Sequence, residues 1–125
     1  MSIIVTDSGF APDGFNGTWF DLAPDVDLEA LEGQLAETSA IRISFGSFAD
    51  GRGFSLASWL RAKGFEGRLR ACGHVLADQY AMARRSGFDE VEIDEALAAR
   101  QPAEHWRARA DWQTHDYRKR LRRSA

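Results

Sequence analysis

The sequence IRISF at residues 41–45 alternates strictly between apolar and polar side chains, which is the period of a β-strand. The sequences GRLRA at 67–71 and EVEI at 90–93 repeat the pattern. Segments with helical apolar spacing separate these strands, at residues 56–63 and 74–86. Strands that alternate with helices through short connections predict right-handed crossovers and a parallel sheet.

The regions on either side extend this pattern. Residues 3–6 and 19–22 are predicted as two short strands, separated by a glycine-rich turn region at 9–17. These strands are candidates for a hairpin, and their relative direction is open. Asp27, Ser55 and Asp94 are predicted helix caps. We therefore expect an α/β fold with a mostly parallel sheet of about four to five strands and a βαβαβα core, as one domain over residues 1–125 with a basic helical tail at 112–125.

Composition excludes several classes of protein. The chain has 125 residues, of which 44% are hydrophobic and 28% charged, as in ordinary globular proteins. No apolar run approaches the roughly 18 residues needed to cross a membrane, and the first residues lack the basic start of a signal peptide. The single cysteine, Cys72, excludes an intramolecular disulfide and a cysteine-only metal site. We expect a cytoplasmic protein that does not bind a membrane.

Charge is distributed unevenly along the chain. Residues 1–41 contain eight acids and no Lys or Arg, whereas the remainder contains 11 acids and 16 bases. The polar positions of the predicted strands are mostly cationic: Arg42, Ser44, Arg68, Arg70 and Glu92. Helices are therefore expected mainly on one face of the sheet. The polar face is either the concave inside of a (β/α) half-barrel-like sheet, or is covered by the acidic N-terminal region, the C-terminal helix or a second subunit.

The sequence Asp50-Gly-Arg-Gly-Phe-Ser lies between the end of one strand and the start of a helix, where ligands bind in α/β folds. Glycines expose backbone N–H groups there, and the helix dipole favours an anion. Arg52, Gly53 and Ser55 are therefore candidate anion-binding residues for phosphate, sulfite or carboxylate. The alternative is a loop whose Asp50–Arg52 contacts only fix its own turn.

Arg70 and Gly73, at the equivalent end of the next strand, complete the candidate anion site. Arg70 and Glu92 could instead form an ion pair between neighbouring strands. Gln79 falls on an apolar helix face and is expected to have a structural role, as is Glu92. Cys72 and His74 resemble a thiolate–imidazole pair, although an isolated cysteine of this kind is more often inert.

The remaining candidates concern catalysis, metal and nucleic acid. If the protein is an enzyme acting on an anionic substrate, Asp50 or Asp78 would transfer protons. His105, Asp111 and His115 lack a clear metal-ligand set, so no metal is expected. The basic residues 118–123 are expected to be solvated or to contact another subunit rather than nucleic acid, because the chain is acidic overall.

Together, these motifs resemble the bacterial domain of unknown function 934 family. The resemblance is carried by Asp50-Gly-Arg-Gly-Phe-Ser, Leu60-Arg61, Gly64-Phe65, Gly67, Leu69-Arg70-Ala71, Gly73, Asp78-Gln79, Arg85 and Gly87-Phe88-Asp89. It is strongest over residues 40–95.

Members of that family are often labelled as oxidoreductases of sulfite reduction. The resemblance therefore implies a cytoplasmic protein of sulfur assimilation, whose partner is sulfite reductase or another enzyme of that process. No flavin or nicotinamide fingerprint and no cluster cysteines are present in the sequence, so no cofactor is expected. The first hypothesis is an accessory protein that binds a small anion. The alternatives are a small (β/α)-type oxidoreductase and a module that dimerises through its polar sheet face.

Overall fold

The computed structural model describes residues 2–47 and 49–112. These residues contain a six-stranded sheet, more strands than the four to five expected. In chain order the strands are β1 (Ser2–Thr6), β2 (Gly9–Ala11), β3 (Phe20–Leu22), β4 (Ala40–Phe45), β5 (Arg68–Gly73) and β6 (Glu90–Asp94). The sheet order is β2-β1-β6-β5-β4-β3. The strands from β3 to β6 are parallel, which confirms the mostly parallel α/β class.

Five α-helices lie within the described residues: α1 (Leu28–Glu32), α2 (Arg52–Ala62), α3 (Tyr80–Ser86), α4 (Glu95–Arg100) and α5 (Ala103–Arg107). Two 3-10 turns, Leu35–Glu37 and Ala77–Gln79, precede β4 and α3. All five helices contribute to one buried cluster, for example through Leu31, Leu60, Ala83, Leu97 and Trp106. The same cluster contains the apolar positions of the central strands, such as Ile43, Leu69 and Val91. Burial of the apolar side chains from both layers stabilises this packing.

The first strands pair differently from the candidate hairpin. β1 forms its hairpin with β2, through a two-residue turn that ends at Gly9 with φ +111°. β1 also pairs antiparallel with β6, while β3 lies on the opposite edge beside β4. The hairpin between residues 3–6 and 19–22 is therefore wrong, because the tight turn at residues 7–8 brings a nearer partner to β1.

This topology determines the path of residues 12–19, here called the crossing loop. β2 and β3 occupy the two edges of the sheet, five strand spacings apart, which is about 24 Å at roughly 4.8 Å per spacing. Nine residue steps from Ala11 to Phe20 can span about 30 Å when extended. The loop must therefore cross the sheet in a nearly extended form. The sheet is open at both edges, and the expected likeness to a half-barrel stays a prediction.

Two helix starts differ from the sequence prediction. α2 begins at Arg52 with Gly51 as its N-cap residue, so Ser55 lies inside the helix rather than capping it. α3 begins at Tyr80 after a 3-10 turn, rather than near His74. None of the described helices is long and apolar enough to span a membrane. The predicted tail beyond Trp112 lies outside the described residues.

Candidate functional site

Arg70 is the centre of a buried charge network on the polar face of the sheet. It is only 1% exposed. Its Nε donates to Glu90 Oε2 at 2.6 Å, and its Nη1 donates to Glu92 Oε1 at 2.7 Å. Nη1 and Nη2 also donate to the two oxygens of Asp13 at 3.0 and 3.1 Å. The Trp19 ring lies over the guanidinium, with its centroid 4.4 Å from Cζ.

Neighbouring arginines extend this network across the sheet. Arg42 donates to Asp21 Oδ1 at 2.6 Å and to Glu92 Oε1 at 3.2 Å. Arg68 donates to Glu90 Oε1 at 2.9 Å. These contacts follow from the register of the parallel strands, which places Arg42 beside Arg70 and Arg70 beside Glu90. The cationic positions of the strands are therefore matched by carboxylates of the same chain.

The pKa values of two carboxylates in the network, Glu92 and Asp13, are lowered by their contacts. Burial raises the pKa of Glu92, but hydrogen bonds from Arg70 and Ser2 and the charge of Arg42 outweigh it, so the pKa lies below its ordinary value. Hydrogen bonds from Arg70 lower the pKa of Asp13 in the same way. Buried ions are tolerated here because each is both paired and hydrogen-bonded.

The acidic N-terminal region supplies carboxylates to such pairs. Among residues 2–47 and 49–112, four of its acids form ion pairs with bases later in the chain: Asp7 with Arg84, Asp13 with Arg70, Asp21 with Arg42 and Glu32 with Lys63. Among the described residues, the acidic N-terminal region contributes to covering Arg70, through Asp13 and Trp19. Neither a ligand nor a second subunit is needed to neutralise the guanidinium of Arg70.

The second candidate feature is the start of α2. The Asp50 carboxylate accepts the Arg52 backbone N–H at 3.1 Å, Arg52 Nε at 3.0 Å and Arg52 Nη2 at 2.8 Å. These hydrogen bonds lower the pKa of Asp50 to about 2. A carboxylate with so low a pKa is a weak base and carries no proton at neutral pH, which does not favour a proton-transfer role. The Arg52 side chain remains 65% exposed.

A groove of about 420 Å³ adjoins Arg52, and we call it the α2 groove. It is lined by Pro24, Asp25, Val26, Leu28, Arg52, Ser55, Leu56 and Trp59. Two of the predicted anion-binding residues, Arg52 and Ser55, therefore lie together. Arg70 does not line this groove; its hydrogen bonds go to carboxylates of the sheet face and the crossing loop.

The two glycines of the candidate anion site lie where a side chain would collide with β4. A Cβ added to Gly53 would be 2.3 Å from the Phe45 ring. Gly73 has φ +111°, and its Cβ would be 2.7 Å from Phe45 O. Close packing between β4, β5 and α2 therefore requires glycine at both positions.

Sequence reasoning missed a pocket at the carboxyl ends of β5 and β6, here called the strand-end pocket. Its volume is about 160 Å³, and its lining is Ser2, Cys72, Gly73, His74, Glu92, Ile93, Asp94, Leu97 and Arg100. The motifs could not place Ser2 in this pocket, because Ser2 reaches it through the antiparallel pairing of β1 with β6. They could not place Arg100 there either, which reaches it from the end of α4. Burial and the charge of Glu92 raise the pKa of Cys72 to about 11, so its thiol is protonated at neutral pH.

The other predicted residues lie away from the Arg70 network, the α2 groove and the strand-end pocket, or outside the described residues. Asp78 pairs with Arg109 at 2.6 Å, and Gln79 Oε1 accepts the Leu76 backbone N–H at 2.9 Å. In residues 2–47 and 49–112, no group of three or more His, Cys, Asp or Glu side chains could hold a metal ion. His115 and the basic residues 118–123 lie outside the described residues.

An open, mostly parallel sheet with its helical core on one face and a self-neutralised charge network on the other defines a small mixed α/β protein. Residues 20–124 match the model of the family described as "Bacterial protein of unknown function (DUF934)". The chain belongs to that family, as the motif resemblance predicted. Comparisons with curated proteins and with solved structures find no match.

Proposed function

We propose that this chain is a cytoplasmic accessory protein of assimilatory sulfite reduction that acts by binding a small anion. The setting comes from the family resemblance, which associates such chains with sulfite reduction. In this proposal Arg52 and Ser55 hold the anion at the start of α2. The partner would be sulfite reductase or another enzyme of sulfur assimilation.

One observation carries the choice of site. Of the two arginines predicted to bind the anion, Arg70 is buried among three carboxylates, whereas Arg52 is largely exposed at the rim of a groove. An exposed guanidinium can form the paired hydrogen bonds that oxyanions accept. Ser55 lines the same groove and adds a hydroxyl donor.

The contacts of Asp50 indicate that Arg52 can bind a carboxylate or another oxyanion. Its carboxylate takes three hydrogen bonds from Arg52, as an external carboxylate or oxyanion would. An external anion would therefore compete with Asp50 for the guanidinium. Removing the Asp50 charge should strengthen anion binding, while removing Arg52 should weaken it.

Calorimetric titration with sulfite, sulfate and phosphate tests this proposal. The Asp50→Asn variant keeps an acceptor for the Arg52 N–H and should bind the anion roughly a few-fold more tightly, because one competing charge is removed. Arg52→Ala should lose at least about tenfold in affinity. Arg109→Ala is the matched control, because Arg109 is also an exposed arginine paired with an aspartate. Equal affinities of the wild type and Arg52→Ala would contradict the proposed site.

The accessory role has a separate test. Sulfite reductase should be retained by the immobilised full chain and released by the groove variant Trp59→Ala, since Trp59 lines the α2 groove. Met82→Ala is a control, because Met82 is an exposed apolar residue that does not line the groove. Failure of the wild type to retain the enzyme would contradict the proposed partner.

A further inference from the structure

We propose that the strand-end pocket binds a small zwitterion of the α-amino-acid class. This site is separate from Arg52 and does not depend on the function proposed above. The pocket lies at the carboxyl ends of β5 and β6, the edge of a parallel sheet at which α/β proteins bind ligands. None of its lining residues also lines the α2 groove.

One side of the pocket offers carboxylate oxygens. Glu92 accepts at Oε1 from the two arginines behind it, and at Oε2 it accepts the Cys72 thiol at 3.6 Å. Ser2, which also lines the pocket, donates a further hydrogen bond to this carboxylate. The pKa of Glu92 is held below its ordinary value, so the group is an anion at neutral pH. Asp94 adds a second carboxylate, which uses Oδ1 to cap α4 through the Leu97 N–H at 2.8 Å. A ligand ammonium group matches the exposed Asp94 carboxylate, whose second oxygen is not used by the cap, with the Glu92 anion beside it.

The other side of the pocket offers donors. Arg100 is the last residue of α4, and its exposed side chain lines the pocket. Within residues 2–47 and 49–112, no carboxylate forms an ion pair with Arg100. A ligand carboxylate matches Arg100 by paired hydrogen bonds.

Both signs of charge therefore border one small space, and its size restricts the ligand. A volume of about 160 Å³ suits a small ligand rather than a nucleotide or a peptide. Glycine, alanine and cysteine are small members of the proposed class. The apolar lining, which includes Ile93 and Leu97, accommodates a short apolar or thiol side chain next to Cys72.

The charges also exclude simpler ligands. Asp94 disfavours a simple anion, which would face its carboxylate without an ammonium group to balance it, while the charge of Glu92 is already matched by Arg42 and Arg70. A simple cation would leave the Arg100 guanidinium without its counterpart. Only a ligand with both groups a few ångströms apart satisfies both sides.

The test is titration of the full chain with glycine, L-alanine and L-cysteine at millimolar concentrations, followed by calorimetry and by the backbone amide signals of the protein. Acetate and methylammonium are the single-charge controls. We expect at least one amino acid to bind and to shift the amide signals of Gly73 and His74. Arg100→Ala and Asp94→Asn should each weaken this binding about tenfold or more.

The two variants are chosen so that folding is preserved. Arg100 is exposed, and Asn at position 94 caps a helix as well as Asp does. Arg109→Ala, outside the pocket, should leave amino-acid binding unchanged. Absence of binding by all three amino acids, or binding of acetate as tight as that of alanine, would overturn the proposal. Because sulfite binding at Arg52 is measured with other variants, failure of either site leaves the other result unaffected.

Discussion

Replacing Arg70 with methionine tests whether the charge network stabilises the fold. The substitution keeps an unbranched side chain of similar length but removes the guanidinium shared by Glu90, Glu92 and Asp13. Glu90 and Glu92 are 4% and 9% exposed, so each would remain buried with one arginine fewer. Removing one partner of a buried ion pair costs about 3–5 kcal/mol.

The lower end of that range applies here. Glu90 keeps its contact with Arg68, and Glu92 keeps its contact with Arg42. We therefore expect Arg70→Met to lower the free energy of unfolding by about 3 kcal/mol, a large part of the roughly 5–15 kcal/mol of a typical domain. The midpoint of thermal unfolding should fall by about 10 °C.

Urea denaturation followed by circular dichroism measures this effect, with the free energy extrapolated linearly to water. Adding Glu90→Gln to Arg70→Met removes one of the stranded charges and should recover at least about 1 kcal/mol. Arg109→Met, which removes an exposed ion pair, should stay within about 0.5 kcal/mol of the wild type. The reasoning is refuted if Arg70→Met unfolds within about 1 kcal/mol of the wild type.

Three further predictions concern acid, packing and the thiol. Folding lowers the pKa values of Asp13 and Glu92 from 3.8 and 4.5. The stability that these carboxylates contribute is therefore present above the unfolded pKa values and is lost as the pH falls through the lower folded values. Urea denaturation at several pH values from about pH 6 to about pH 3 should show this decline, and a flat profile would contradict it. Gly53→Ala should cost about 1–3 kcal/mol in urea denaturation because its Cβ would enter the Phe45 ring, whereas Gly51→Ala, which meets nothing within 4 Å, should not show that loss. Cys72, with its pKa raised to about 11, should react with iodoacetamide far more slowly at neutral pH in the folded protein than in urea, and equal rates would refute the assignment of a protonated, half-buried thiol.

The central strands could be predicted because their signal is local. Alternation in residues 41–45, 67–71 and 90–93 identifies each strand and the face that it buries, and the structure places Ile43 and Leu69 in the core accordingly. The N-terminal pairing could not be predicted in this way. This pairing depends on which edge of the sheet each of the short N-terminal strands joins. Several pairings are compatible with the same pattern of apolar residues.

The helix near residue 80 shows a second limit. Continuous helical spacing from His74 would place Met82 inward, but Met82 is 54% exposed. The 3-10 turn at Ala77–Gln79 changes the helical phase, so that Tyr80 faces the core in place of Met82, while Ala83 is buried as the spacing predicts. A change of phase within a short segment leaves no clear signal in the sequence.

For the polar face of the sheet, the sequence predicted the charges but not their partners. The charges along the strands indicated a cationic face, and the acidic N-terminal region was among its expected coverings. The sequence could not indicate that Asp13 and Trp19 would meet Arg70, because this depends on the crossing loop spanning the sheet from edge to edge. Nor could it bring Arg100 to Glu92 at the strand-end pocket.

Arg70 is satisfied within the chain, and we propose that Arg52 binds an external anion. Nuclear magnetic resonance of the arginine Nε–H groups, with and without sulfite, tests both parts in one measurement. We predict a slowly exchanging Arg70 Nε–H signal that sulfite does not shift, and an Arg52 Nε–H signal that sulfite does shift. Rapid exchange of the Arg70 proton, or a shift of its signal rather than that of Arg52, would contradict the account.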